Sequence, residues 1–524
     1  VGHSQDSRKS YNSRKSYDSR KSNNSRKSQD SASAKTLHHK DIKKQRKMNK
    51  IAHIPKTFIA ACAAAALAVA VCMYFVPGVP PMAFAGFAGI TAAALAVYGF
   101  LCGGASRLGA YVLLGAATLL SIGIVVNVNY FTIGSGGTDA APVLYNSDAW
   151  RTWNDALFHL DAGGEAIPPT YGMYGGIIAV VMSLTGISVT AGLMVSMAAT
   201  LMSILCSGII AWRLIADRRI AAVSMACCAA VCYFLTSGTL LIKDAWVCAS
   251  FAIVGVGFAS SGDGSCRRIV LPVYIGAVML LLVRPNMLLA MAIGTVMCIL
   301  PAAVDAEGRR KAWTYIGLCA GFCILLWGVG NIAQITPDAG GIINIGMSNE
   351  WIRYDAPNQL AYYNIIGDYS DLPVYYKVMM LPVTAAVQFL IPFPWNWGRD
   401  ILYGPTSFYA HIAYPWYLFG LMAFYYLFYG RHEYDMTVPY FRMKTVTRLV
   451  LWSLVCWLIP CYLFGGTISR YGLMAVPTVA PAVALAVLGP KYSIRTWMSW
   501  AGVALLVVLV SCYIMQSIIF PPTE

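Results

Sequence analysis

Between Ser147 and Gly176 the chain reads SDAWRTWNDALFHLDAGGEAIPPTYGMYGG, a stretch that gathers Asp148, Asp155, His159, Asp161 and Glu165. Asp155 and His159 are four apart, so on a helix they share a face. A carboxylate in such a segment can act as a general base or as a metal ligand. Taken singly, each acid is equally explained as a helix cap or a solvated loop residue. Trp150 and Trp153 accompany the acids, and both suit sugar stacking as well as a membrane interface. Asp-x6-Asp-x3-His is not a specific ligand spacing, so no metal set is legible here. A divalent metal stays open as a cofactor, and no other cofactor is indicated.

Three cations recur at turns next to apolar runs. Lys243, followed by Asp244, opens the run in TSGTLLIKDAWVCASF, Arg284 interrupts LLLVRPNMLL, and Arg470 precedes the helix in GTISRYGLMAVPTVAP. Ionisable residues near membrane depth are costly and usually functional. Lys243 and Asp244 can equally neutralise each other at an interface. If Lys243, Arg284 and Arg470 lie on one side of a membrane, they suit a phosphate or pyrophosphate at the head-group boundary. Snorkelling to lipid phosphates is the plainer explanation.

The elements that must position these residues are apolar. The 524 residues are 58% hydrophobic and only 12% charged, about half the charge of an average soluble domain. Runs long enough to cross a hydrocarbon core cover 57–76, 82–102, 108–128, 191–212, 220–236, 240–260, 269–285, 286–304, 313–333, 413–430, 447–466, 471–489 and 497–520. The expected fold is therefore an all-α polytopic membrane protein of about 13 transmembrane helices. Two Gly- or Pro-broken apolar stretches, 172–190 and 378–394, read as interfacial helices. Outer loops are expected over 129–190 and 334–412.

Charge sets the orientation. Residues 1–50 hold 15 Lys/Arg against 4 Asp, whereas the rest of the chain holds 23 Lys/Arg against 19 Asp/Glu. The basic balance thus describes a tail and implies no nucleic-acid partner. That tail carries four SRKSx(N/D) repeats over residues 7–30, too polar to bury a core and expected to be disordered. It places the N-terminus in the cytoplasm, with anionic lipid head groups as its natural partner. The short basic links 213–219, 262–268, 305–311, 431–444 and 491–495 then fall inside, and the C-terminus outside, in a multi-pass cell-membrane protein. Most of the 15 cysteines lie in apolar runs, as packing residues do.

These motifs together resemble the GT-C class of polytopic glycosyltransferases, especially the bacterial relatives of protein and lipid A sugar transferases. Asp148 and Ala156 match an Asp-x7-Ala-x-x-Leu pattern in the first outer loop. Tyr171 to Gly186 is similar to the family's Tyr-rich, Gly-broken interfacial helix. Asp244 resembles an Asp that opens a later helix, and Arg470-Tyr471…Pro477 an Arg-Tyr before a Pro-containing helix. The resemblance spans roughly residues 108–490. It implies a sugar donor on a polyprenyl phosphate and an acceptor glycan or lipid of the cell envelope. It also implies Asp148 as the catalytic acid, acting as base or metal ligand, and Lys243, Asp244, Arg284 and Arg470 as substrate-binding residues. Lys243-Asp244 with Arg284-Pro285 also resembles polysaccharide polymerases of the O-antigen type, which hold a lipid pyrophosphate with arginines. A lipid-linked glycan flippase is the non-enzymatic alternative. It is disfavoured because no repeated pair of broken helices is visible.

Overall fold

A computed structural model of the chain describes residues 56–75, 81–102, 107–133, 147–164, 169–215, 217–231, 238–261, 266–304, 309–332, 373–390, 440–464 and 473–488. The N-terminal repeats, Arg470, most of the second outer loop and the runs at 413–430 and 497–520 lie outside the described residues. All secondary structure among the described residues is helical.

The first helices are α1 (Lys56–Tyr74), α2 (Pro81–Leu101) and α3 (Arg107–Ile133), followed by α4 (Ser147–His159), α5 (Pro169–Thr185) and α6 (Val189–Ile215). Then come α7 (Arg218–Ala230), α8 (Asp244–Ser260), α9 (Arg267–Val283), α10 (Met287–Val304) and α11 (Arg309–Ile332). The last described are α12 (Val374–Met379), α13 (Leu381–Leu390), α14 (Tyr440–Phe464) and α15 (Val476–Leu488).

Among the described residues four segments are long and apolar enough to cross a membrane: Pro81–Leu101, Arg107–Ile124, Val189–Leu214 and Arg309–Gly330. The described part of the run 220–236 falls in the 13-residue α7 with its cap Val231, and that of 471–489 is a 3₁₀ turn at 473–475 followed by α15. The run 240–260 begins as a helix only at Asp244, after a turn. The break at Arg284-Pro285-Asn286 falls where expected: Arg284 has φ −156°, which ends α9. Pro285 stands just before α10, and its carbonyl accepts from the Leu288 N–H of that helix's first turn. The stretch 172–190 is broken at Gly186, whose φ of +103° is a C-terminal cap conformation that glycine adopts freely. The segment 378–394 is divided at Met380. Residues 129–133, expected in a loop, continue α3.

The centre of the bundle is Trp452 of α14, fully buried. Its ring stacks on Phe251 at 5.5 Å and lies 5.3 Å from Phe258, and its indole N–H donates to the Phe251 carbonyl at 3.1 Å. Partner pairs fix the helix directions. Val195 meets Trp246 and Ile210 approaches Gly255, so α6 and α8 run together. Phe251 and Ser261 of α8 meet Trp452 and Arg448 respectively, so α14 runs against α8. Tyr274 meets Leu318 and Leu281 approaches Gly330, so α9 and α11 are parallel. The bundle therefore has two chemically distinct ends. One carries Asp155, Tyr174, Lys243, Asp244 and Arg284. The other carries Ser260, Arg268 and Arg448, where Arg268 donates to the Ser260 carbonyl. The buried Arg448 there donates to Ser261 Oγ at 2.9 Å.

Candidate functional site

α4 is the most amphipathic of the described helices. Its buried stripe is Ala149, Thr152 and Ala156, at helical spacing. Asp155 lies beside that stripe and is itself only 2% exposed. A carboxylate at a core position costs free energy unless something compensates it. His159, one turn on, is part of the answer. Its Nε2 stands 3.6 Å from Asp155 Oδ2, ion-pair range and longer than a good hydrogen bond. The carboxylate is accommodated because α5 presents Gly175 to it: a Cβ there would overlap Asp155 Oδ2. Gly176 in turn faces the His159 ring, with Nε2 3.8 Å from where its Cβ would stand. The pair of glycines in YGMYGG is thus the seat for the Asp155–His159 pair.

The neighbouring side chain on α5 faces the other way. Tyr174 is buried, and its hydroxyl donates to the Ile242 carbonyl at 3.2 Å and lies 3.3 Å from Ser196 Oγ on α6. Ile242 belongs to the turn that delivers Lys243 and Asp244. The Lys243 carbonyl accepts from Trp246 and Val247, so Lys243 caps α8, and Asp244 is its first residue. Lys243 is 7% exposed and Asp244 4%. Arg284, at the end of α9, brings Nη1 to 3.5 Å from Asp244 Oδ1. Both are buried, and among the partners of Asp244 is an arginine 40 positions away. One turn of α5 therefore joins two polar groupings, Asp155–His159 on one side and the Lys243-Asp244–Arg284 group on the other.

Of the site residues the sequence singles out, Lys243, Asp244 and Arg284 are brought together. Asp148 is the second residue of α4, inside its first turn. Arg470 lies outside the described residues. Tyr174 was not singled out at all. Its signal is its place two residues before Gly176 in a glycine-broken apolar helix, where a large polar side chain needs an internal partner. Among the described residues no group of three His, Cys, Asp or Glu side chains is placed to hold a metal ion, and the described cysteines are all free thiols.

Such an arrangement defines a helical membrane-type bundle with an acid–imidazole pair and a buried acid–cation group at one end. No protein-family model, curated protein or solved structure matches the chain.

Proposed function

We propose that the chain is a membrane glycosyltransferase of about 13 crossings that moves a sugar from a polyprenyl-phosphate donor to a glycan or lipid acceptor of the cell envelope. The observation that carries this reading is the burial of Lys243 and Arg284 around Asp244, at the same bundle end as amphipathic α4. Two desolvated cations at one level suit a phosphate group that must be held while its ester to the sugar breaks. Arg284 keeps its Asp244 contact through Nη1, which aims the guanidinium so that its remaining N–H donors meet the donor phosphate. The resemblance adds Arg470 of the Arg-Tyr motif to this phosphate-binding set. The acceptor meets the polar face of α4, on which the resemblance nominates Asp148. The arginine-rich opposite end is cytoplasmic by the positive-inside rule, which places the site outside the cell, with the N-terminal basic repeats on anionic head groups within.

The test is transfer from a radiolabelled polyprenyl-phosphate sugar in isolated membranes, comparing wild type with Arg284→Gln. Loss of a charge-assisted phosphate contact should reduce kcat/KM by roughly 10- to 150-fold. Turnover equal to wild type sinks the phosphate role. A pyrophosphate-linked oligosaccharide used in place of the monophosphate sugar would instead favour the polymerase reading.

A further inference from the structure

The turn that delivers Lys243 and Asp244 is held against one face of α6, the face that carries Gly192, Val195 and Ser196 at helical spacing. Gly192 admits Leu241, whose Cδ1 would stand 2.9 Å from a Cβ at that position. Beyond the turn, the Trp246 indole N–H donates to the Val195 carbonyl at 3.1 Å. Between these points lies the peptide that joins Ile242 to Lys243. Its carbonyl precedes α8, whose first backbone bonds end on the Lys243 carbonyl, so it needs a partner outside the helix. The Tyr174 hydroxyl is that partner, at 3.2 Å, and Ser196 Oγ lies 3.3 Å from the same hydroxyl. With the phenol proton on the Ile242 carbonyl, Ser196 donates to the phenol oxygen. Lys243 and Asp244 therefore stand between two side-chain hydrogen bonds, one from Tyr174 before them and one from Trp246 after them. Both bonds are referred to consecutive positions of α6, Ser196 and Val195.

We infer that Tyr174 and Trp246 are the positioning residues of the phosphate-holding group, an inference that rests on the phosphate role of Lys243 and Arg284 proposed above. Neither touches the phosphate; together they fix the backbone that carries Lys243 and Asp244. Charges fixed before an anion arrives need no rearrangement when it binds, which is why a supported site holds an anion more tightly than a loose one. Without the Tyr174 hydroxyl the buried Ile242 carbonyl loses its donor, and the peptide plane rotates to find another. That rotation changes ψ of Ile242 and φ of Lys243, and so the direction in which the Lys243 side chain leaves the chain. Without the Trp246 bond the first turn of α8 is released from α6, and Asp244 moves with it. Asp244 meets Arg284 at 3.5 Å, so a shift of either hold also disturbs the aim of the guanidinium. Ser196 has the lesser part, because the Tyr174 proton reaches Ile242 whether or not Ser196 carries a hydroxyl.

The experiment measures equilibrium binding of two probes to the full chain in detergent: a polyprenyl phosphate and the uncharged polyprenol of the same length. Wild type should hold the phosphate more tightly than the alcohol. Tyr174→Phe should weaken phosphate binding by roughly 10-fold, the effect of about one hydrogen bond, and leave polyprenol binding unchanged. Trp246→Phe, which cuts the other hold, should do the same. Ser196→Ala should leave both affinities near wild type. Size-exclusion profiles establish which variants are folded, and either folded aromatic variant decides the matter. A loss of packing alone would weaken both probes alike. That result, or a phosphate affinity equal to wild type in a folded Tyr174→Phe or Trp246→Phe protein, overturns the inference alone. Ser196→Ala weakening phosphate binding as much as Tyr174→Phe overturns the assignment of the hold to the Ile242 carbonyl. A folded wild type that binds the phosphate no more tightly than the alcohol overturns the phosphate role of Lys243 and Arg284, and this inference with it.

Discussion

Arg284 Nη1 stands 3.5 Å from Asp244 Oδ1, joining the end of α9 to the start of α8 across 40 positions of sequence. Both side chains are largely buried, at 16% and 5% exposure, so the pair is shielded from the screening that weakens surface ion pairs. Removing one member of a buried pair costs far more than the pair contributes, because the remaining charge keeps its desolvation cost. Arg284→Gln alone should therefore destabilise the protein by about 3 kcal/mol. The double variant Asp244→Asn with Arg284→Gln should recover most of that. Thermal denaturation in detergent, followed by size-exclusion chromatography, reads the difference. Additive losses in the double variant would mean that the two residues act independently.

Gly175 and Gly176 are adjacent yet should respond to alanine with opposite signs. A methyl group at 175 would overlap the Asp155 carboxylate, so Gly175→Ala must push α4 off α5 at a cost of about 1–3 kcal/mol. At 176 the nearest atom is His159 Nε2 at 3.8 Å, an ordinary contact. There alanine removes a helix-interior glycine and should be neutral or stabilising by about 0.5–1 kcal/mol. Equal melting temperatures for the two variants would contradict the described seat.

The turn after α4 offers a third check. Asp161 has φ +52°, a left-handed conformation that costs most L-residues about 1–2 kcal/mol but that Asn and Gly adopt readily. Asp161→Asn and Asp161→Gly should leave stability and turnover near wild type. Asp161→Val should lower stability by at least about 1 kcal/mol. If Asp161→Asn abolished activity, the carboxylate itself would have a role beyond the turn.

The legible part of this fold is what local pattern controls. The apolar runs at 82–102, 191–212 and 313–333 fall within the long helices Pro81–Leu101, Val189–Ile215 and Arg309–Ile332 or overlap them closely, because nearly every position on them tolerates lipid or packed protein. The break at Arg284-Pro285-Asn286 is visible because proline and an isolated charge both end an apolar helix. Asp155 and His159 could be paired from spacing alone. The burial of Asp155 could not, because it depends on two glycines of another helix. Asp244 has Lys243 as its sequence neighbour, and the fold adds Arg284 from 40 positions away. A side chain at a helix start chooses among partners that only the tertiary packing supplies.

The helix directions give a topological prediction. The starts of α9 at Arg267 and of α11 at Arg309 belong to parallel helices, at the opposite end from Asp244. Reporter fusions after 266 and after 308 should therefore report the same compartment, the cytoplasm by the distribution of Lys/Arg. A fusion after residue 160 should report the outside. Opposite signals from 266 and 308 would break the parallel pairing of α9 and α11.

Asp148 is the residue on which resemblance and structure divide. The resemblance makes it the catalytic acid. Its position as the second residue of α4 accounts for a carboxylate without catalysis, since negative charge in a helix's first turn is stabilising by about 0.3–1 kcal/mol. Asn keeps the shape and removes the charge. Asp148→Asn should thus lower stability by only that small amount, visible as a slight fall in melting temperature. If a first-turn charge is all it supplies, turnover of Asp148→Asn should stay within about tenfold of wild type. A loss of roughly two orders of magnitude or more in folded protein, measured in isolated membranes with a polyprenyl-phosphate sugar, would give the carboxylate the role of base that the resemblance implies.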